Sequence, residues 1–63
     1  MDTYRKGDRV QVTGKGRTAN WPRYLRGTVM GKYRAVVYVQ WDHAAFTLDE
    51  MERDEIKKVS HVS

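Results

Sequence analysis

The chain has 63 residues, with twelve Lys and Arg against eight Asp and Glu and no cysteine. That length allows one domain, 1–63, with a small core, since a chain this short buries only about 60% of its unfolded surface. Hydrophobic residues make up 40% and charged ones 32%, with no membrane-length apolar run, no signal-peptide pattern and no Cys for a disulfide or zinc staple, so a compact soluble module is expected rather than an enzyme with a deep pocket.

Gly7-Asp8 supplies turn chemistry before Arg9-Val10-Gln11-Val12-Thr13, whose polar–apolar alternation predicts a half-buried strand. Gly14-Lys15-Gly16 follows. It lacks the Gly-Lys-Ser/Thr ending and the helix of a phosphate loop, and so reads as a turn. From Lys15 to Tyr24 the chain has no period and carries its only proline, which predicts a long basic loop between Gly14 and Leu25. Arg26-Gly27-Thr28-Val29-Met30 predicts a second strand closed by Gly31, and the β-branched, aromatic run Val36–Trp41 a third. Ala45–Leu48 predicts a short fourth strand, Leu48–Asp54 one 3₁₀ turn, and Glu55–Val59 a fifth strand. The expected fold is all-β: a small closed or nearly closed five-stranded barrel, because open edges in so small a sheet template aggregation.

Four segments carry a resemblance: Gly7-Asp8-Arg9-Val10-Gln11-Val12, Arg26-Gly27-Thr28-Val29, Val37-Tyr38-Val39-Gln40-Trp41-Asp42 and Asp54-Glu55-Ile56-Lys57-Lys58-Val59. Together they resemble the SH3-like barrel superfamily in its KOW and Tudor-like branches, over a core of residues 7–59. The resemblance implies a Gly-Asp opening the first strand, an Arg-Gly-x-Val second strand, and an Ile-x-x-Val closing strand after a 3₁₀ turn. It implies the fold more sharply than the function, since this barrel hosts nucleic-acid binders, peptide binders and methylated-side-chain readers. Gly7-Asp8-Arg9-Val10 and Gly31-Lys32-Tyr33 also resemble the plasmid type II dihydrofolate reductases. Their substrate-binding Val-Gln-Ile-Tyr segment belongs where this chain has Ala45-Phe46-Thr47-Leu48, so that activity is not implied.

Strand parity points Val10, Val12, Val29, Val37, Val39 and Trp41 inward, joined by Leu25, Phe46, Leu48, Met51, Ile56 and Val59. Arg9, Gln11, Thr28, Met30, Val36, Tyr38 and Gln40 face outward. Among them Met30, Val36 and Tyr38 make an apolar patch, which is either a protein-contact surface or ground covered by Met1–Tyr4 or residues 60–63.

The charge is unevenly distributed. Residues 1–34 hold nine basic and two acidic residues, net +7, and residues 35–63 three basic and six acidic, net −3. A polarised small domain points to an anionic partner, with DNA or RNA first. The candidate nucleic-acid-binding residues are Lys15, Arg17, Arg23, Arg26, Lys32 and Arg34 for phosphates, with Trp21 and Tyr24 for stacking on bases. The resemblance implies a binding face along this loop and around Trp41-Asp42-His43. Trp21 is read equally well as a cap on the end of the core.

Trp21, Tyr24, Trp41 and Phe46 could supply a methyl-lysine or methyl-arginine cage, but Trp41 and Phe46 have core parity. A proline-peptide groove wants an acidic loop, and this one is basic. His43 and His61 lack metal-ligand spacing, and Asp42-His43 point to opposite faces of a strand. Asp49, Glu50, Glu52, Asp54 and Glu55 read as a solvated face. The sequence therefore predicts a non-enzymatic nucleic-acid-binding module without cofactor or metal. The alternative is a protein-interaction module with an acidic protein as partner. A homo-oligomer is compatible with either, no membrane partner is expected, and a reducing cytoplasm suits the cysteine-free composition.

Overall fold

The computed structural model describes residues 3–43 and 46–59. It is all-β, with strands β1 (Arg9–Val12), β2 (Arg26–Tyr33), β3 (Val36–Trp41), β4 (Asp49–Glu52) and β5 (Ile56–Lys58). Two 3₁₀ turns, Gly16–Asn20 and Arg53–Glu55, complete it, the second placed directly before the last strand. All neighbouring strands are antiparallel, in the order β4-β3-β2-β1-β5.

The hydrogen-bonded ladder is open between β4 and β5, yet the sheet cannot lie flat. Five flat strands would put the outer two about 19 Å apart. The three residues of the second 3₁₀ turn join Glu52 to Ile56, and at a rise of about 2 Å per residue they reach less than half that distance. The sheet therefore curls, and its concave face encloses Val10, Val12, Leu25, Val29, Val37, Val39, Trp41, Met51 and Ile56, all buried. Burying each aliphatic side chain contributes roughly 1.5–3 kcal/mol before conformational entropy is counted.

A bulge helps the curl. Val29 pairs with Val39 but Gly31 pairs with Tyr38, so Met30 is the extra residue on β2. This is why β2 continues through Gly31 to Tyr33 instead of ending there as the sequence predicted. The turn to β3 has two residues, Arg34 and Ala35, and Arg34 takes a positive φ of 58°.

The fourth strand differs from the expectation at Ala45–Leu48. The strand is Asp49–Glu52, and Leu48 is 51% exposed rather than in the core. Met51 alone carries the strand's inward face, fully buried opposite Val37, while Glu50 and Glu52 point to solvent. Four residues with one apolar member do not announce a strand, and their acids suit a turn. The 3₁₀ turn is correspondingly later and shorter, Arg53–Glu55 instead of Leu48–Asp54, and Glu55 belongs to it rather than to the last strand. Phe46 and Val59, expected in the core, are half-buried. Ala45 lies outside the described residues.

Tyr4 joins the core, unforeseen from its place near the start of the chain. Its hydroxyl donates to the Ile56 carbonyl on β5 at 3.2 Å. At the opposite edge, the Arg17 guanidinium donates to the Glu50 carbonyl on β4. A side chain thus occupies a main-chain acceptor on each outermost strand, which blunts both edges against pairing with another chain.

Candidate nucleic-acid interface

The long segment after β1 is held in place by two buried polar side chains. Thr18 is fully buried; its hydroxyl donates to the Lys15 carbonyl at 2.7 Å and accepts the Gly14 N–H at 3.0 Å. Glu55 is 2% exposed. One of its oxygens accepts the Arg17 N–H at 3.1 Å, the other accepts the Glu52 N–H at 2.9 Å, and the Arg17 Nε lies 3.5 Å away. Burial pushes the Glu55 carboxyl up, but the Glu52 and Arg17 N–H donors and the Arg17 guanidinium outweigh it and hold the group below its ordinary range. The two 3₁₀ turns are fastened to each other through this one carboxylate.

That arrangement separates the predicted cations into groups with different surroundings. Arg17 is committed to Glu55 and to the Glu50 carbonyl, and it also touches the Met51 sulfur at 3.4 Å. The Arg23 side chain lies over Gly14, next to Lys15, and its carbonyl accepts from Gln11 Nε2 at 2.7 Å. Gln11 pairs with Arg26 on one side and Lys57 on the other, so Lys57, Gln11 and Arg26 form one row on the outer face. Lys15, Arg23, Arg26 and Lys57 are all exposed at this end of the sheet. Lys57 was missed because it sits in the acidic half of the sequence; only strand register brings it beside Arg26. Lys32 and Arg34 are at the other end, where Lys32 is about 20 Å along β2 from Arg26. Among the described residues Lys15, Arg23, Lys32 and Arg34 make no ion pair, though the Arg34 guanidinium lies 5.3 Å from the Tyr33 ring centre.

The aromatics also divide. Trp21 is half-buried and packs edge-on against Trp41 at 5.9 Å and in a tilted arrangement against Phe46 at 5.3 Å, so it caps the end of the core. Trp41 is 3% exposed, and its indole N–H is buried with no acceptor among the described residues. Three members of the possible cage are therefore packed on one another. Tyr24 is 74% exposed.

Tyr24 forms the wall of an open cleft of about 260 Å³, with Leu25, Arg26, Asp42 and His43 as the other walls. Asp42 is fixed by a two-pronged contact with Arg9, whose Nη1 donates to Oδ1 at 2.9 Å and whose Nη2 donates to Oδ2. The hydrogen bonds from Arg9, supported by the charge of Arg26, hold the Asp42 carboxyl below its ordinary range. The His43 ring packs against Phe46 at 5.8 Å. A second cleft of about 170 Å³ is lined by Gly7, Asp8, Arg9, Lys58 and Val59. Its charges are spent internally, with Lys58 on Asp8 at 3.3 Å and Arg9 on Asp42.

On the outer face, Val36 pairs with Tyr33 and Glu52, and Tyr38 with Gly31 and Glu50. The Met30, Val36 and Tyr38 patch is thus extended by Tyr33, 60% exposed, and rimmed by two acids. Met1, Asp2 and residues 60–63, considered as its cover, lie outside the described residues, as does His61; Tyr4 is in the core.

Among the described residues no three His, Cys, Asp or Glu gather as a metal site, and no helix is long and apolar enough to cross a membrane. Compared with known proteins, the chain matches no family model, no curated protein and no solved structure.

Proposed function

We infer that this protein is a non-enzymatic nucleic-acid-binding module of the cytoplasm, built on an SH3-like barrel. The observation that carries the reading is Tyr24, an exposed ring that lines a cleft together with Arg26, with Arg23, Lys15 and Lys57 exposed at the same end of the sheet. An exposed aromatic beside several cations offers a stacking surface for a base and charge for the flanking phosphates. The phosphate-binding set is Lys15, Arg23, Arg26 and Lys57; Arg17 serves the fold, Trp21 caps the core, and Lys32 and Arg34 lie too far along β2 to grip the same few nucleotides.

Fluorescence anisotropy with labelled oligonucleotides tests this. With about four phosphates neutralised, log affinity for a single strand falls against log salt with a slope near −3. Tyr24→Ala weakens binding by roughly 5- to 150-fold, as expected for a lost stack of about 1–3 kcal/mol. Arg26→Ala reduces the slope by about one. A wild-type affinity that does not change between 50 and 200 mM salt overturns the assignment.

A protein contact is favoured by a different observation, the exposure of Tyr33 beside Val36 and Tyr38. The rim of Glu50 and Glu52 suits a basic partner surface at this patch, whereas an acidic partner suits the loop cations. If the patch is the working surface, Tyr33→Ala combined with Tyr38→Ala abolishes capture of the partner while oligonucleotide binding is retained. Unchanged capture by that double variant removes the patch from consideration.

A further inference from the structure

The cleft beside Tyr24 has a chemically mixed lining. Arg26 brings a guanidinium, a donor only, and Asp42 a carboxylate. Asp42 is preoriented: both oxygens already accept from Arg9, leaving each with a further lone pair. Because its carboxyl is held below the ordinary range, it is ionised at neutral pH and accepts only. An oriented carboxylate acceptor in the same cleft as a guanidinium and an exposed ring is more than a phosphate grip requires, since a carboxylate repels phosphate.

We propose that this cleft is a single-base subsite that reads guanine in single-stranded nucleic acid, with the base stacked on Tyr24, O6 or N7 accepting from Arg26, whose other N–H donors serve the flanking phosphate, and the amino group donating to Asp42. This rests on the nucleic-acid reading above and narrows it. Guanine presents acceptors at O6 and N7 and a donor at N2. Thymine offers neither an exocyclic amino donor nor a purine face for stacking. In a duplex the pairing edge is occupied and the base is held in the stack, so only an unpaired nucleotide can enter and be read along that edge. Asp42 thereby acquires a role that its pairing with Arg9 alone does not explain. Arg9 holds the carboxylate so that it meets the base rather than folding onto Arg26.

The test uses the wild-type chain, so no variant has to fold. Four labelled probes are compared by anisotropy at 50 mM salt: nine thymidines, the same strand with one central guanine, the same with one central hypoxanthine, and a nine-base-pair duplex containing the guanine. Hypoxanthine keeps O6 and N7 and lacks only the amino group. The guanine strand binds about tenfold tighter than the thymidine strand, the hypoxanthine strand loses most of that gain, and the duplex is weaker than the guanine strand. Equal affinity for the three single strands, or a duplex bound as tightly as the guanine strand, overturns the guanine subsite and leaves general binding standing. Failure of all four probes to bind overturns both.

Discussion

Replacing Glu55 with glutamine lowers the melting temperature by about 10–20 °C. Two main-chain N–H groups, of Arg17 and Glu52, end on separate oxygens of this one buried carboxylate. A hydrogen bond to a charged acceptor is worth about 1.5–3 kcal/mol. Glutamine keeps one acceptor oxygen and turns an N–H₂ toward the other N–H, so one bond is lost and two donors face each other. The expected loss is about 2–3 kcal/mol, and in a domain of this size each 1 kcal/mol shifts the midpoint by about 4–8 °C. The ion pair with Arg17, whose side chain is half exposed, adds little.

The same carboxylate makes the fold sensitive to acid. Its folded pKa lies below the ordinary value of 4.5, so its contribution is fully present above about pH 4.5 and is lost as the pH falls through the lower folded value. Asp42, held down by Arg9, acts in the same direction. Thermal melts followed by circular dichroism at pH 7 and across the acid range check both points. The gap between wild type and Glu55→Gln narrows as acid is added, and a shift smaller than about 3 °C at pH 7 would remove Glu55 from its structural role.

Gly27→Ala is expected to cost about 3 kcal/mol, a large part of the roughly 3–9 kcal/mol available to a chain of this length. Gly27 is buried on β2 opposite Trp41. A Cβ there would stand 2.7 Å from the Gln40 carbonyl oxygen, 2.7 Å from a Val39 methyl and 2.8 Å from the Trp41 ring. None is the far end of a flexible side chain, so the strand pair itself would have to separate. Gly31, four residues on, is the control: a Cβ there meets nothing within 4 Å. Alanine at that position raises stability by about 0.4–1 kcal/mol by restricting the unfolded chain. Urea denaturation of the two variants beside the wild type decides the matter, and a Gly27→Ala loss below 1 kcal/mol would show that the strands give way easily.

Much of this architecture is legible in the residues. Alternation in Arg9–Val12 and Val36–Trp41 marks strands because each has one wet and one dry face, and nine of the twelve core residues expected from parity are buried. What escapes is whatever depends on pairing rather than on pattern. β4 carries its inward face on Met51 alone. The Met30 bulge is visible only as a shift of register between two strands. Glu55, Thr18 and Tyr4 look like surface or terminal residues until their partners, distant in sequence, are in place. In the candidate site the same division holds. Arg23, Tyr24 and Arg26 are neighbours in the chain and were found from it. Asp42 enters through the resemblance, which implies a face around Trp41-Asp42-His43, and the hydrogen bond from its N–H to the Arg26 carbonyl ties it to this end of the sheet; Lys57 reaches it only through strand register.

The contact between Arg17 and Glu55 spans 38 residues of chain, and this has a consequence for the order in which the molecule assembles. The β2–β3 hairpin closes through a two-residue turn and forms with little loss of loop entropy, whereas joining the two 3₁₀ turns requires most of the chain to be already collected. Contacts of that kind are expected to form after the rate-limiting step, which the folding and unfolding rates of Glu55→Gln check. Loosening them leaves the folding rate nearly unchanged and shortens the lifetime of the folded molecule, by about 30-fold or more for a loss of 2–3 kcal/mol. On that expectation the fastening of the long loop governs how long the native state lasts, and the hairpin how fast it forms.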